Sequence, residues 1–290
     1  MINDFANDFI CGTNLRDVAD YIWGVESKDS IFESPKTQVI WCKTDLIPDL
    51  FTHIRTQPLT SKFVLITHCS DYAINEKVFN AKPPNIIKWF AQNVDYKHED
   101  LVPLPIGIEN NQGAYKGKYT DFVYLFENIK PLEISNKIIN QVYCNFNPRN
   151  YPSRPHIAQQ LHSNNLAHFE GTLPYNEYIE NMKQYLFIAS PRGNGIDCHR
   201  TWEALYTGCI PIVDKHFMYD TYKNLPIIQI DNWSRVTPEL LHKYTIKYKN
   251  KELFTNIEEL TLKYWINKIR EATNDRPNQL RDGNPRKEDS

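Results

Sequence analysis

The chain's densest chemistry lies in residues 186–213, LFIASPRGNGIDCHRTWEALYTGCIPIV. Leu186–Ala189 is apolar and strand-like. Pro191-Arg192-Gly193-Asn194-Gly195 is a glycine-bearing loop, and His199–Thr207 reads as a helix that Gly208 ends before a second apolar run, Ile210–Val213. Strand, glycine loop, helix and strand form one unit of an α/β fold, and the loop and helix start are where such folds take phosphorylated ligands. Gly193 and Gly195 leave no Cβ between backbone and ligand, so the loop could aim N–H groups at an anion, aided by the positive end of the following helix. Arg200, in the first turn of that helix, could clamp a diphosphate with its fork of donors. Glu203 lies three residues on, on the same face, and could accept both hydroxyls of a ribose. Cation for phosphates and carboxylate for ribose together suit a nucleotide-sugar donor. The same two residues also read as an i,i+3 surface ion pair worth roughly 0.2–0.5 kcal/mol, and spacing alone leaves both readings open. Cys198 stands where a dinucleotide fingerprint carries its third glycine, and no GxxxxGK[ST] occurs, so a P-loop enzyme has no support.

A second strand–loop–helix unit precedes this one. Val142–Phe146 reads as a strand, Asn147-Pro148-Arg149-Asn150 as a turn, and Ser153 as the cap of a helix to about His162, with Arg154 at its start. Arg154 and Arg149 are candidates for the same anion, or ordinary loop arginines; Arg192 is expected to face solvent. Ser190-Pro191, Gly193, Gly195, Asp197, Arg200, Trp202-Glu203-Ala204-Leu205 and Gly208-Cys209-Ile210-Pro211 resemble the C-terminal signature of exostosin-like glycosyltransferases, and Tyr219, Leu225-Pro226 and Trp233 continue the resemblance. It is dense over residues 141–235 and thin over the first 60. It implies a GT-B architecture, two Rossmann-like domains facing a central cleft. On that resemblance the donor rests on the C-terminal domain, against Asn147, Arg149, Arg154, Ser190, Gly193, Asn194, Gly195, Asp197, Arg200 and Glu203.

Inverting glycosyl transfer needs one general base for the acceptor hydroxyl and cationic or N–H groups for the leaving diphosphate. Thr67-His68-Cys69-Ser70-Asp71 follows the strand Phe63–Ile66, and the carboxyl end of a strand is where α/β sheets place ligands. It resembles the His-Asp motif of the family, although there the two residues are adjacent and here two intervene. Asp71 is the first candidate base and His68 the second, a packed histidine being its alternative. Glu109 is the third, closing Pro103–Glu109, with bracing of the loop as its alternative. His98-Glu99-Asp100 reads as a solvated turn, since consecutive residues rarely converge on one ion. No Asp-x-Asp occurs, so the arginines, the glycine loop and a helix dipole are expected to neutralise the leaving group without a metal or other cofactor.

These side chains must be positioned by 290 residues, enough for two compact nucleotide-binding-type halves of ~130 residues each. The expected domains are 1–135 on the acceptor side and 136–273 on the donor side, with a disordered polar tail at 274–290. Val39–Cys42, Phe63–Thr67, Leu101–Ile106, Ala167–Glu170 and Ile227–Ile230 read as strands. Ile86–Asn93, Tyr175–Gln184 and 238–272 read as helices, Ile129–Gln141 as a helix or connector, and 110–120 as a polar loop. Net charge is −2, and no basic stripe argues for nucleic acid. The six cysteines form no CxxC, which suits reduced thiols. No apolar run reaches the ~18–20 residues of a membrane span, and no signal-peptide core is seen, so a cytoplasmic protein is expected. The 13% of aromatic residues mildly favours sugar binding. The expected activity is inverting transfer of a UDP-linked sugar, with a pentose such as xylose the guess, to a growing glycan. A nucleotide- or carbohydrate-binding protein of the same fold without catalysis is the alternative.

Overall fold

The computed structural model describes residues 8–24, 34, 36–58, 60–110, 119–128, 132–249 and 257–273. The first half builds a five-stranded parallel sheet from β1 (Tyr21–Trp23), β2 (Gln38–Lys43), β3 (Phe63–His68), β5 (Ile86–Ala91) and β7 (Leu101–Pro103), laid side by side in chain order. A two-stranded pair, β4 (Ile74–Asn75) with β6 (Val94–Asp95), fills the crossovers. Helices α1 (Gly12–Arg16), α2 (Ile47–Thr56), α3 (Glu76–Asn80) and α4 (Tyr119–Asn128) accompany this half.

The second half is a five-stranded parallel sheet of β8 (Ile138–Cys144), β9 (Ala167–Phe169), β10 (Tyr185–Ala189), β11 (Ile210–Asp214) and β12 (Ile228–Ile230), in the order β12-β11-β10-β8-β9. Its helices are α5 (Arg154–Ser163), α6 (Tyr175–Met182), α7 (His199–Tyr206), α8 (Pro238–Lys249) and α9 (Leu262–Ala272). The order reverses between β8 and β10: the chain leaves β8 towards β9 on one side and leaves β10 towards β11 on the other. That reversal opens a crevice beyond the strands' carboxyl ends, where doubly wound sheets bind ligands. The first sheet runs without such a reversal. The expected α/β class with parallel sheets is therefore present, and the crevice belongs to the second sheet alone.

Strand alternation distributes the core. Val39, Trp41, Val64, Ile66 and Phe90 of the first sheet and Tyr143, Ile188 and Val213 of the second enter one shared apolar cluster. The opposite faces, with Ile40, Leu65 and Trp89 in one case and Val142, Phe187 and Ile212 in the other, form separate clusters. The shared cluster includes Phe9 and Leu15 near the start of the chain and Trp265 and Ile269 of α9. Leu262 donates its N–H to the Asp8 carbonyl at 2.8 Å, so the end of the expected donor-side domain packs on the first half. Lys137 is buried, and its ammonium reaches the carbonyls of Lys183 (2.7 Å) and Thr207 (3.5 Å), which cap the C-termini of α6 and α7. A cation there complements both helix dipoles.

Several expectations change. Ile86–Ala91 is a strand, not a helix: Ile86, Trp89 and Ala91 are buried in one cluster and Phe90 in another, so tertiary burial on both faces sets its conformation. β8 begins at Ile138, inside the expected connector, while residues 129–131 lie outside the described residues. β7 stops at Pro103 because proline cannot donate to a ladder. Ser153 is itself in a helical conformation and makes no capping bond. The expected single helix 238–272 is two helices, α8 and α9, with a short turn at Glu258–Leu260 before α9. Most of the polar loop (111–118) and the whole of the tail (274–290) lie outside the described residues. Among the described residues, no helix is long and apolar enough to cross a membrane.

Gly107 carries the turn after β7 in a left-handed conformation (φ +67°), and an added Cβ would overlap the Ile10 carbonyl oxygen. That oxygen is already bonded by the Ile108 N–H at 2.9 Å. Gly107→Ala should therefore destabilise the fold by about 3 kcal/mol or more, the sum of left-handed strain and a backbone clash, measurable by urea denaturation.

Candidate functional site

The crevice between β8 and β10 is lined by the segments that leave those strands, 145–151 and 190–198. Arg154, the first residue of α5, is 4% exposed and spans both segments. Its Nε donates to the Arg192 carbonyl (2.9 Å), Nη2 to the Pro191 carbonyl (2.9 Å) and Nη1 to the Asn147 carbonyl (3.2 Å), with the guanidinium 5.7 Å from the centre of the Phe146 ring. Arg200, the second residue of α7, donates Nη2 to the Asn145 carbonyl at 2.8 Å. Its Nε is buried without a hydrogen-bond partner. Among the described residues, no carboxylate lies within ion-pair distance of Arg154, Arg200, Arg149 or Arg192. Burial lowers the Arg154 pKa, and the neighbouring Arg200 charge acts in the same direction. Among the described residues, the crevice thus holds two guanidiniums with no carboxylate in ion-pair contact.

The glycine loop is held from the other half of the molecule. Asn93, itself left-handed (φ +55°), accepts the Ile196 and Asp197 N–H groups on Oδ1 at 2.9 and 3.0 Å and donates Nδ2 to the Ser70 carbonyl at 3.0 Å. A Cβ on Gly195 would lie 2.9 Å from the Asn93 Nδ2. Asp197 is 3% exposed. Its carboxylate accepts from the N–H groups of Ile106 (2.8 Å) and Cys198 (2.9 Å), from Trp202 Nε1 (2.8 Å) and from the Tyr219 hydroxyl (3.4 Å). Burial pushes this carboxyl up to about 6 in spite of those donors. Gly195 and Asp197 therefore join the two halves instead of meeting a donor. The reason for Gly195 is close approach to Asn93, and neither Gly193 nor Gly195 has a positive φ.

Ser190 is buried, with its hydroxyl 2.9 Å from that of Thr201, and so serves the core. Glu203 is 5% exposed, with Oε1 accepting from the Tyr175 hydroxyl (3.0 Å) and Oε2 from the Tyr178 hydroxyl (2.8 Å). It forms no pair with Arg200 and offers no open face to a ribose: it ties α7 to α6. Burial and the Glu203 charge hold both tyrosines well above the usual phenol range, so their hydroxyls remain donors. Asn147, Arg149 and Asn194 are exposed at the rim, where Asn147 Oδ1 accepts the Arg149 N–H at 2.9 Å. Arg192, expected in solvent, is half-buried: it lies 4.6 Å from the centre of the Tyr151 ring, and its Nε is buried without a partner.

The three candidate bases separate clearly. His68 is 1% exposed at the end of β3, with Nε2 3.0 Å from the Pro105 carbonyl and Nδ1 3.5 Å from Cys69 Sγ. It is closed to any acceptor. Asp71 is exposed, one residue past the Ser70 carbonyl that Asn93 holds. Glu109 is half-buried and turned towards α7, with Oε2 3.5 Å from His199 Nε2, while Oε1 accepts the Asn110 N–H at 2.9 Å. His199 in turn places Nδ1 2.8 Å from the Gly107 carbonyl. Sequence reasoning passed over His199, although a histidine next to Arg200 at the start of a helix was the available signal. It also passed over Tyr175 and Tyr178, whose spacing at i,i+3 on α6 marks them as one face.

His98 accepts the Asp100 N–H on Nδ1 at 3.0 Å, as suits a turn. Among the described residues, no group of three or more His, Cys, Asp or Glu could hold a metal. All six cysteines are free, and Cys69 and Cys198 are only partly buried. A groove of about 550 Å³ between Tyr96–Pro103 and Phe217–Lys223 shares no lining residue with the crevice; charge and unmet donors, not volume, single out the crevice.

Burial pushes the His68 imidazole down to about 4, while the bond to Pro105 opposes the shift. A folded-state value below the unfolded 6.5 means that the unfolded chain takes the proton first. The stability is then complete above pH 6.5 and is lost as pH falls towards 4, by roughly 3 kcal/mol from this residue. His68→Gln, whose amide can still donate to Pro105, should lack that loss when the two proteins are unfolded by urea at pH 7 and pH 4.5.

No protein-family model and no curated protein matches the chain.

Proposed function

We propose that the chain is an inverting glycosyltransferase of GT-B architecture, similar to the exostosin-like enzymes, that takes its sugar from a nucleoside diphosphate, most simply UDP, and gives it to a glycan hydroxyl. The observation that carries this reading is the pair of guanidiniums, Arg154 and Arg200, left without a carboxylate at the reversal point of a parallel sheet. Arg200 is half-buried and bonds one carbonyl only, so an anion can complete its contacts where little water competes. Arg154 shapes the loop, Arg200 supplies a guanidinium bonded to a single carbonyl, and Arg149 and Arg192 add charge at the rim. A diphosphate fits this arrangement, and its charge grows as the sugar leaves, so the same cations favour the transition state over the ground state.

Glu109 is the proposed base. It comes from the first half, and its carboxylate lies 3.5 Å from His199, the residue preceding Arg200. The arginines neutralise the diphosphate in this mechanism, so no metal is required, and a pentose such as xylose remains the suggested sugar. Binding without transfer is the second reading, favoured by the closure of His68 and Glu203, two residues expected to act.

Calorimetry against UDP, GDP and their sugars tests the first step. Arg200→Ala should weaken binding of the preferred nucleotide at least ~30-fold, as loss of a charge-assisted bond of about 2–3 kcal/mol implies. Unchanged affinity would remove the crevice from consideration. In transfer assays Glu109→Gln should lose most of kcat and Asp71→Asn should stay within about threefold of the parent. Turnover should survive a chelator, and restoration only by Mn²⁺ or Mg²⁺ would contradict the metal-free step.

A further inference from the structure

His199 is the first residue of α7, immediately before Arg200, and is 30% exposed at its side chain. A carbonyl oxygen can only accept, so the nitrogen 2.8 Å from the Gly107 oxygen, Nδ1, carries a proton in every state of the ring. The neutral imidazole therefore keeps its lone pair on Nε2, which faces Glu109 Oε2 at 3.5 Å. With neither atom protonated, two lone pairs oppose each other; one added proton between them turns repulsion into an ion pair. A proton arriving between the two atoms lies within reach of both.

Its supports are fixed by backbone. Gly107 is left-handed and closed to any Cβ by the Ile10 carbonyl, so the oxygen that holds His199 has little freedom. Ile106, one residue earlier, donates to Asp197, two residues before His199. Asn110, one residue after Glu109, accepts on Oδ1 from the Thr13 N–H (2.8 Å) and hydroxyl (3.1 Å) of α1. Both members of the pair are thus anchored within two or three residues on either side, one from each half of the molecule.

We propose that His199 and Glu109 act as a proton-sharing pair in the transfer step, Glu109 receiving the acceptor proton and His199 positioning and stabilising it; this rests on the glycosyl-transfer reading. The acceptor O–H bond breaks and its proton enters the space between Oε2 and Nε2. The freed oxygen electrons form the bond to the anomeric carbon. The bond from that carbon to the diphosphate oxygen breaks, and its electrons leave with the diphosphate beside Arg200. Nothing is oxidised or reduced.

The test compares Glu109→Gln, His199→Asn and the double variant by steady-state transfer kinetics and by calorimetry with UDP. The asparagine amide can still donate to the Gly107 carbonyl but has nothing at the place of Nε2, so it separates proton sharing from bracing of the turn. UDP affinity should stay within about twofold in all three. Each single variant should lose about 10²–10⁴-fold in kcat, and the double variant should be no worse than the poorer single one, as for groups that act as a unit. Losses that multiply, an unchanged kcat in His199→Asn, or a loss confined to UDP affinity would each overturn the pair and leave the glycosyl-transfer reading standing. Nucleotide binding without transfer by the parent protein removes that reading, and the role of the pair with it. Should His199→Asn fail to fold, the imidazole ¹⁵N resonances of His199 decide: Glu109→Gln should move Nε2 and leave Nδ1 protonated, and an unmoved Nε2 overturns the proposal.

Discussion

The buried carboxylate of Asp197 is the constraint on which the site depends. It accepts from Ile106 of the first half and from Cys198, Trp202 and Tyr219 of the second. A carboxylate offers about four lone-pair positions, and here donors from both halves converge on one ion. Burying a charge is unfavourable unless such donors replace its water, so separating the halves at this point would take the Ile106 donor from the ion. Asn93 adds two further acceptor contacts to the same loop. The glycine loop therefore owes its shape to the first half of the molecule, although its sequence lies wholly in the second.

Two kinds of arginine follow from this arrangement. Arg154 reaches three carbonyls with three different nitrogens and is 4% exposed; its geometry is that of a bracket between the ends of β8 and β10. Arg200 makes one such bond and keeps a buried Nε with no partner. The first is pre-organised and saturated, the second pre-organised and unmet. Electrostatic stabilisation in proteins works best when the groups are aligned before the charge appears, and in the proposed transfer step Arg154 is the bracket that fixes the loop and Arg200 the group that meets the diphosphate.

Much of the architecture was legible in the residues. The strand–loop–helix–strand over 186–213 was readable because strand, breaker and helix signals agree locally, and it stands as β10, α7 and β11. What was not legible had a common cause. Gly195 and Asp197 look like ligand residues by type, and only the approach of Asn93 and Ile106, about 100 and 90 positions away in sequence, makes them internal. Glu203 looked free to accept two hydroxyls, and it does accept two, from Tyr175 and Tyr178. Both of those hydroxyls belong to the protein, so the ribose expected there is not needed to satisfy the carboxylate. Ile86–Ala91 was misread because a strand buried on both faces has no amphipathic period to betray it.

The same long-range contacts fix how the turn at 106–109 sits against the start of α7. Ile106, Gly107 and Glu109 are consecutive or nearly so, and they contact Asp197 and His199, the second of which immediately precedes Arg200. Moving this turn away from the start of α7 would mean breaking the Ile106 and Gly107 bonds together, and bonds to charged or buried groups contribute about 1.5–3 kcal/mol each. Such an opening would be populated well below one per cent of the time. The relative placement of these groups is therefore a property of the folded chain and does not wait for a ligand to close a hinge. In the proposed transfer step, that placement is met during folding, which leaves binding energy available for orienting the sugar and its acceptor.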